Sequence, residues 1–219
     1  MPKVSPEYYE NKRKEIIDAA MRVCSRKPVT SVEMKDVIAE TGFSHGVIYR
    51  YYKDLDEVLH DLVITVNRRY RIDDRLIPLL DQSEDWKQTV RDVCSLLAEH
   101  MTEAGTDVLK LSIYSDMLAM SDPERAMAIA QKIGSDDQSP LLYLVSGMSG
   151  FLQKATDANE LKPAKPVDEI IQFMIASYHG IQTGFVLSGC FGAEQVEGKY
   201  RPSAMFACLA ESVIGMMEG

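Results

Sequence analysis

Met34-Lys35-Asp36-Val37-Ile38-Ala39-Glu40-Thr41-Gly42-Phe43-Ser44-His45-Gly46-Val47-Ile48-Tyr49-Arg50-Tyr51-Tyr52 is the most informative segment of this 219-residue chain. Met34, Val37, Ile38 and Thr41 follow the i, i+3, i+4, i+7 spacing of one apolar stripe, which predicts a helix beginning near Ser31. Gly42 tolerates the left-handed conformation that closes a helix, and Ser44 can accept the free N–H groups that open the next one. That next helix is expected over about His45 to Tyr51, too short to be a major core element. Two helices joined by so tight a turn have the layout of a helix-turn-helix. A short helix held across its predecessor can enter the DNA major groove, about 12 Å wide, with its first residues at base edges. With Ile48 facing inward, Tyr52 and Tyr51 share its side, while Gly46, Tyr49, Arg50 and Lys53 point outward and His45 sits at the edge. Gly46 then permits close approach, Tyr49 and Lys53 can bond phosphate, and Arg50 or His45 can donate to guanine. The same spacing also fits a merely polar surface face in an unrelated helical protein.

Outward from this segment, helical periodicity continues, and no stretch alternates strictly as a half-buried strand does, so the chain is expected to be all-α. Upstream, a helix should start near Ser5 with Pro6 at its first position and bury Ile16, Ile17, Ala20, Val23 and Cys24. Downstream, Asp54 and Glu57 make an acidic variant of a capping box for a fourth helix over about 54–77, with Leu55, Val58, Leu59, Leu62 and Val66 as its apolar stripe. Further helices are predicted over roughly 84–104, 107–119, 123–133, 140–157, 167–189 and 203–217. Asp122-Pro123 and Ser139-Pro140 each place a cap before a first-turn proline, and Lys162-Pro163-Ala164-Lys165-Pro166 reads as an exposed linker. The domain plan is an N-terminal three-helix helix-turn-helix DNA-binding domain over 1–53, with helix four as connector, and a larger helical ligand-binding and dimerisation domain over 54–219.

The formal net charge of −9 argues against a nucleic-acid partner until it is divided. Residues 1–53 hold 10 Lys and Arg against 7 Asp and Glu, whereas residues 54–219 hold 14 against 26. A basic end on an acidic body suits a protein of which one part approaches a polyanion. Cys24, Cys94, Cys190 and Cys208 show no close pairing, so neither a disulfide framework nor a zinc site is signalled, and Cys24 and Cys208 read as small buried hydrophobes. The first ten residues lack the apolar core of a secretory signal, which points to the cytoplasm. Ile170 to Ala193 carries no charge, but Gln172, Ser177, His179, Gln182, Thr183 and Ser188 make it a poor membrane span. A helix buried on nearly every side within a soluble protein or dimer is the better reading.

The 34–52 segment resembles the DNA-binding end of TetR-type transcriptional repressors, and Ile16-Ile17-Asp18-Ala19-Ala20 is similar to that family's first helix. The resemblance covers about residues 10–62 and is most specific from Gly42 through Tyr52. It implies that Ser44, His45 and Gly46 open the recognition helix, that Ile48 and Tyr52 are packing residues, that Tyr49 contacts phosphate and that Lys35 can also face DNA. It further implies a palindromic double-stranded operator, a homodimer, and a repressor released by a small molecule. Two departures stand out. Leu55 occupies a position where the family usually has a phosphate-clamping lysine, leaving Lys53 to compensate. Val32 and Glu33 stand where the family favours threonines, and a carboxylate there repels phosphate.

For the dimer, Ala176, Gly180, Gly184 and Ser188 recur every four residues, and Ala204, Cys208, Ser212 and Gly215 make a similar strip. Such strips let another helix approach closely, either within the chain or across a dimer axis. For a lipophilic or cationic inducer, the candidate lining residues are Trp86, Tyr114, Met117, Phe151, Tyr178 and Gln182, with Glu99, Glu103 and Asp116 as nearby carboxylates. No cofactor or metal is expected. His45, His60, His100 and His179 lack metal-binding spacing, and no phosphate-cradling loop or GxSxG elbow occurs, so an enzyme is disfavoured. The remaining alternative is a helical scaffold or a DNA-coating protein without sequence preference.

Overall fold

The computed structural model describes residues 5–83, 85–158, 161–190 and 200–218, and every regular element among them is helical. Helix α1 (Pro6–Arg26) begins as expected: the Ser5 hydroxyl accepts the Tyr8 N–H at 3.2 Å, and Ile16, Ile17, Ala20, Val23 and Cys24 are buried. A 3-10 turn over Val29–Ser31 follows, so α2 (Met34–Thr41) starts later than the expected Ser31. Glu33 is its cap. The Glu33 backbone carbonyl accepts the Asp36 N–H at 2.9 Å, and Asp36 Oδ2 accepts the Glu33 N–H at 2.8 Å, the returning bond of a capping box. Gly42 closes α2 at φ 68°, ψ 9°, where an L side chain would be strained.

Helix α3 (His45–Ile48) is only one turn long and continues as turn structure through Tyr51. Ser44 does occupy its N-cap, but the hydroxyl makes no capping bond, and the Ser44 carbonyl instead accepts the N–H groups of Val47 and Ile48 at 3.0 and 3.3 Å. Helix α4 (Leu55–Arg69) opens with the Glu57 N–H on Asp54 Oδ1 at 3.0 Å and the Lys53 N–H on Glu57 Oε2 at 2.8 Å. The single helix expected over 54–77 is in fact two. The chain breaks at Tyr70–Ile72 and resumes as α5 (Asp73–Asp81), where Asp73 receives the Arg71 guanidinium. Arg68 and Arg69 in the last turn of α4, and Asp73 and Asp74 in the first turn of α5, complement the two helix ends.

Helix α6 (Trp86–Ser121) contains a break at Gly105, whose φ of 72° and ψ of 169° separate the two helical runs expected on either side. The remaining elements are α7 (Pro123–Ala130), a 3-10 turn at Ser135–Asp137, α8 (Pro140–Asp157), α9 (Val167–Cys190) and α10 (Pro202–Met217). The Asp122 and Ser139 side chains cap α7 and α8 through the Arg125 and Leu142 N–H groups, as their Pro-adjacent positions imply.

The chain folds as two compact units. The first comprises residues through Arg69 together with Lys110–Gln138, and the second comprises Tyr70–Leu109 together with residues from Ser139 on. In the first, Val37, Ile48, Tyr52, Val58 and Leu62 share a core with α1 and with Leu111, Leu118 and Ile129. Polar clasps secure α4 along its length. Arg125 grips Asp56 at 2.6 Å, His60 Nδ1 lies 3.2 Å from the Ile129 carbonyl, and Asn67 Nδ2 donates to the Asp137 carbonyl at 2.8 Å. In the second unit, α5 packs on α8, α8 on α9 and α9 on α10, enclosing Met101, Met148, Leu152 and Phe206. Within the single chain, helix α9 is buried on one face, and Gln172, Phe173, Ala176, Gly180, Thr183 and Leu187 are exposed. Positions 191–193 of the uncharged stretch lie outside the described residues. No helix among the described residues is long and apolar enough to cross a membrane. Cys24 is buried as expected, whereas Cys208 is exposed on α10.

The Gly105 conformation is one that only glycine adopts without strain, so Gly105→Ala should lower stability by about 1–3 kcal/mol. Urea denaturation followed by circular dichroism measures this, and an unchanged midpoint would refute the assigned role of the glycine.

Candidate nucleic-acid interface

A one-turn helix has no independent stability, so its position is set by what it buries. Ile48 is fully enclosed and Tyr52 is 2% exposed. The Tyr52 hydroxyl donates to Asp61 Oδ2 on α4 at 3.0 Å, and the Arg13 guanidinium of α1 binds the same carboxylate while lying 4.9 Å over the Tyr52 ring. Burial, and then the Asp61 charge, push the Tyr52 phenol far above its ordinary pKa, so it remains a donor. Tyr51 stacks on Tyr9 with ring centroids 4.7 Å apart, and the Lys12 ammonium sits 4.4 Å over the Phe43 ring in the turn. Four contacts from two elements, α1 and α4, thus fix the orientation of α3.

With the inner side fixed, the outer side is defined. Ser44, His45, Gly46, Tyr49 and Arg50 are all exposed on α3 and its turn, Tyr49 to 52%. A Cβ at Gly46 would meet nothing within 4 Å, so the position is open to an approaching partner. Lys53 and Lys35 are exposed as well. Their charges are not free, however: Lys35 Nζ lies 2.5 Å from Glu33 Oε2, and Lys53 Nζ lies 3.8 Å from Asp54. Sequence reasoning missed Arg13 and Asp61 because they are 48 residues apart and no local pattern joins them.

Residues 16–62 match the model for bacterial regulatory proteins of the tetR family. That segment is similar to the DNA-binding part of this family of transcriptional regulators. The chain is 29% identical over 184 residues to the HTH-type transcriptional regulator YfiR of Bacillus subtilis strain 168, covering 82% of each. Its fold is similar to that of the transcriptional regulator FadR of Bacillus subtilis in complex with stearoyl-CoA, with a TM-score of 0.66 at 17% identity, covering 93% of this chain and 98% of that one. It is also similar to that of a transcriptional regulator from Saccharomonospora viridis in complex with choline, with a TM-score of 0.68 at 12% identity, covering 96% and 99%.

The second unit holds a cleft of about 550 Å³ formed by α5, the start of α6 and α8. Of the six ligand-pocket residues expected from sequence, Trp86 and Phe151 line it, beside Ile77, Leu80, Asp81 and Lys154. Tyr114 and Met117 do not. They lie in the Lys110–Gln138 segment of the first unit, where Tyr114 packs against the DNA-binding core and Met117 is 41% exposed. Tyr178 and Gln182 are core residues of α9: the Tyr178 ring lies 6.1 Å from Phe206, and Gln182 Nε2 donates to the Leu109 carbonyl at 3.3 Å. Glu99 and Glu103 are held by Arg75 on the surface, and Asp116 is exposed. Among the described residues, no group of His, Cys, Asp and Glu side chains could hold a metal ion.

The small-residue strips are partly open. Ala176, Gly180, Cys208 and Ser212 are exposed, and Ser188 and Ala204 are half-buried. Gly184 is closed from within the chain, because a Cβ there would come within 2.8 Å of the Tyr200 ring, whose hydroxyl donates to the Ile181 carbonyl. It serves packing between segments of one chain, a role that spacing cannot distinguish from an interface.

Two predictions follow from the buried polar groups. Tyr52→Phe should lower stability by about 1 kcal/mol by removing one hydrogen bond to Asp61, whereas Tyr52→Ala, which also empties the core, should lose about 3–5 kcal/mol. Equal losses in chemical denaturation would mean that the hydroxyl, not the ring, anchors the turn. His100 Nε2 donates to the Tyr70 carbonyl at 2.9 Å, and burial holds its pKa below the ordinary 6.5. Below about pH 6.5 the unfolded chain takes up a proton that the folded one resists, so stability should fall on acidification. The drop between pH 7.5 and 5.5 should be smaller in His100→Gln; an identical drop would remove His100 as its source.

Proposed function

We propose that this protein is a cytoplasmic TetR-family repressor that binds a palindromic operator as a homodimer and is released by a small lipophilic or cationic molecule. The observation that carries the reading is the outward face of α3 and its turn: His45, Gly46, Tyr49 and Arg50 are presented together on a turn locked by Ile48 and Tyr52. In this arrangement the first residues of α3 enter the major groove, Arg50 or His45 reads a guanine edge, and Tyr49, Ser44 and Lys53 meet phosphate. Two such helices separated by one turn of duplex, about 34 Å, require a dimer. The exposed faces of α9 and α10 support that role, with Phe173, Leu187 and Met205 beside Ala176, Gly180, Cys208 and Ser212. The inducer is assigned to the α5–α8 cleft, where Trp86 and Phe151 offer apolar and π surface and Asp81 offers a carboxylate to a cation. The acyl-CoA and choline bound by the two structural relatives are consistent with ligands of both kinds. An inducer that favours wrongly spaced recognition helices must weaken DNA binding, because linkage is reciprocal.

A mobility-shift assay on DNA flanking the protein's own coding region, with excess nonspecific competitor, tests the DNA reading. The wild type should shift that DNA. Tyr49→Ala and Arg50→Ala should lose the shift while their melting temperatures stay within about a degree, since neither side chain is buried. Binding that is equally strong to any duplex and falls steeply with salt would instead make the protein a DNA-coating one.

A further inference from the structure

We propose that Glu33 acts as an internal substitute for a DNA phosphate, occupying a contact that α2 would otherwise offer to the operator backbone and so weakening the sequence-independent part of binding. The inference rests on the DNA-binding reading and concerns its strength and selectivity. In a helix-turn-helix the first of the two helices crosses the backbone, and its N-terminus offers free N–H groups and a favourable dipole to an anion. Here Glu33 already engages that end. Its backbone carbonyl accepts the Asp36 N–H at 2.9 Å, and its carboxylate holds the Lys35 ammonium at 2.5 Å. The carboxylate thus occupies the cation that a phosphate would use, and it does so at the surface, with Glu33 59% and Lys35 68% exposed.

The surrounding charges make the effect matter. Arg22 and Arg26 are both paired with Glu40, Lys27 with Asp36, Lys12 with Glu15 and Arg13 with Asp61. Among the described residues 5–53, only Lys14 and Arg50 of the lysines and arginines have no carboxylate within ion-pair distance. Arg50 is the one of these two on the recognition turn. A head of this kind grips phosphate weakly and depends on base contacts, so its preference for the correct sequence is widened at the expense of affinity. Glu33 is in this sense a positioning residue, acting through Lys35.

The test is a set of full-length variants, wild type, Glu33→Thr, Lys35→Gln and Glu33→Thr/Lys35→Gln, titrated by fluorescence anisotropy against a flanking-region duplex and a random duplex of equal length between 50 and 300 mM salt. Threonine keeps a capping oxygen, and circular dichroism melts check that each variant is folded. Freeing Lys35 should steepen the plot of log affinity against log salt by about 0.9 per head, and should raise affinity for the random duplex by about tenfold per head at 0.1 M salt. The ratio of flanking-region to random affinity should narrow. The double variant should return to the wild-type slope, because the ion pair and its neutral replacement look alike to a phosphate. If Lys35 instead leaves Glu33 when DNA arrives, Glu33→Thr will leave the slope unchanged and the double variant will be shallower than wild type, which overturns the inference and leaves DNA binding intact. If no folded variant binds either duplex at 50 mM salt, the inference falls together with the DNA-binding reading.

Discussion

The burial of Ile48 and Tyr52 is the constraint from which the arrangement of the head follows. A helix of four residues cannot persist on its own, since forming a single turn fixes many dihedral angles for few hydrogen bonds. Helix α3 exists because Ile48 is driven into the core and Tyr52, four residues on, is enclosed and tied to Asp61. Each buried side chain contributes roughly 1.5–3 kcal/mol, enough to define one orientation but not several. Once those two point inward, helical geometry obliges Tyr49 and Arg50 to point out. The face available to DNA is thus the by-product of a packing requirement.

Asp61 extends that constraint to the rest of the unit. It belongs to α4, accepts from Tyr52 and binds Arg13, so a single carboxylate joins α1, α4 and the recognition turn. Elsewhere along α4, Arg125 binds Asp56, the His60 ring meets the Ile129 carbonyl, and Asp137 engages Asn67 and Arg68. The polypeptide passes between the two units at residues 69–70, 109–110 and 138–139.

What the sequence made legible was local. Ser5 with Pro6, Asp122 with Pro123, Ser139 with Pro140 and Gly42 each act within a few residues, and each forms the cap or stop its chemistry implies. The apolar stripes of α1, α2 and α4 likewise name their own buried residues. The break between α4 and α5 was equally local but passed unnoticed, because an uninterrupted hydrophobic period overrode the Arg68-Arg69 and Asp73-Asp74 charges that mark a C-terminus and an N-terminus. Contacts between distant residues left no such trace. Nothing near Tyr114 distinguishes it from Phe151, yet one joins the DNA-binding core and the other the cleft. Gly184 fits a small-residue interface as well as Gly180 does until Tyr200 is seen to fill the space beside it.

Charge shows the same limit with a functional consequence. The excess of basic residues in the first 53 positions, 10 against 7, is a count and says nothing about which cations are free. Folding brings Glu40 between Arg22 and Arg26, Asp36 onto Lys27 and Glu33 onto Lys35, so these cations already have carboxylate partners when a duplex approaches. Surface pairs of this kind add little to stability. Their effect is on what the head can bind. Phosphate contacts are alike at every sequence, so suppressing them lowers affinity for all DNA, whereas base contacts keep their full value only at matching sites. On the proposed DNA-binding reading, the pairing of Lys35 and Lys53, with Arg50 outside any ion pair on the α3 turn, would favour discrimination between sequences over tight binding.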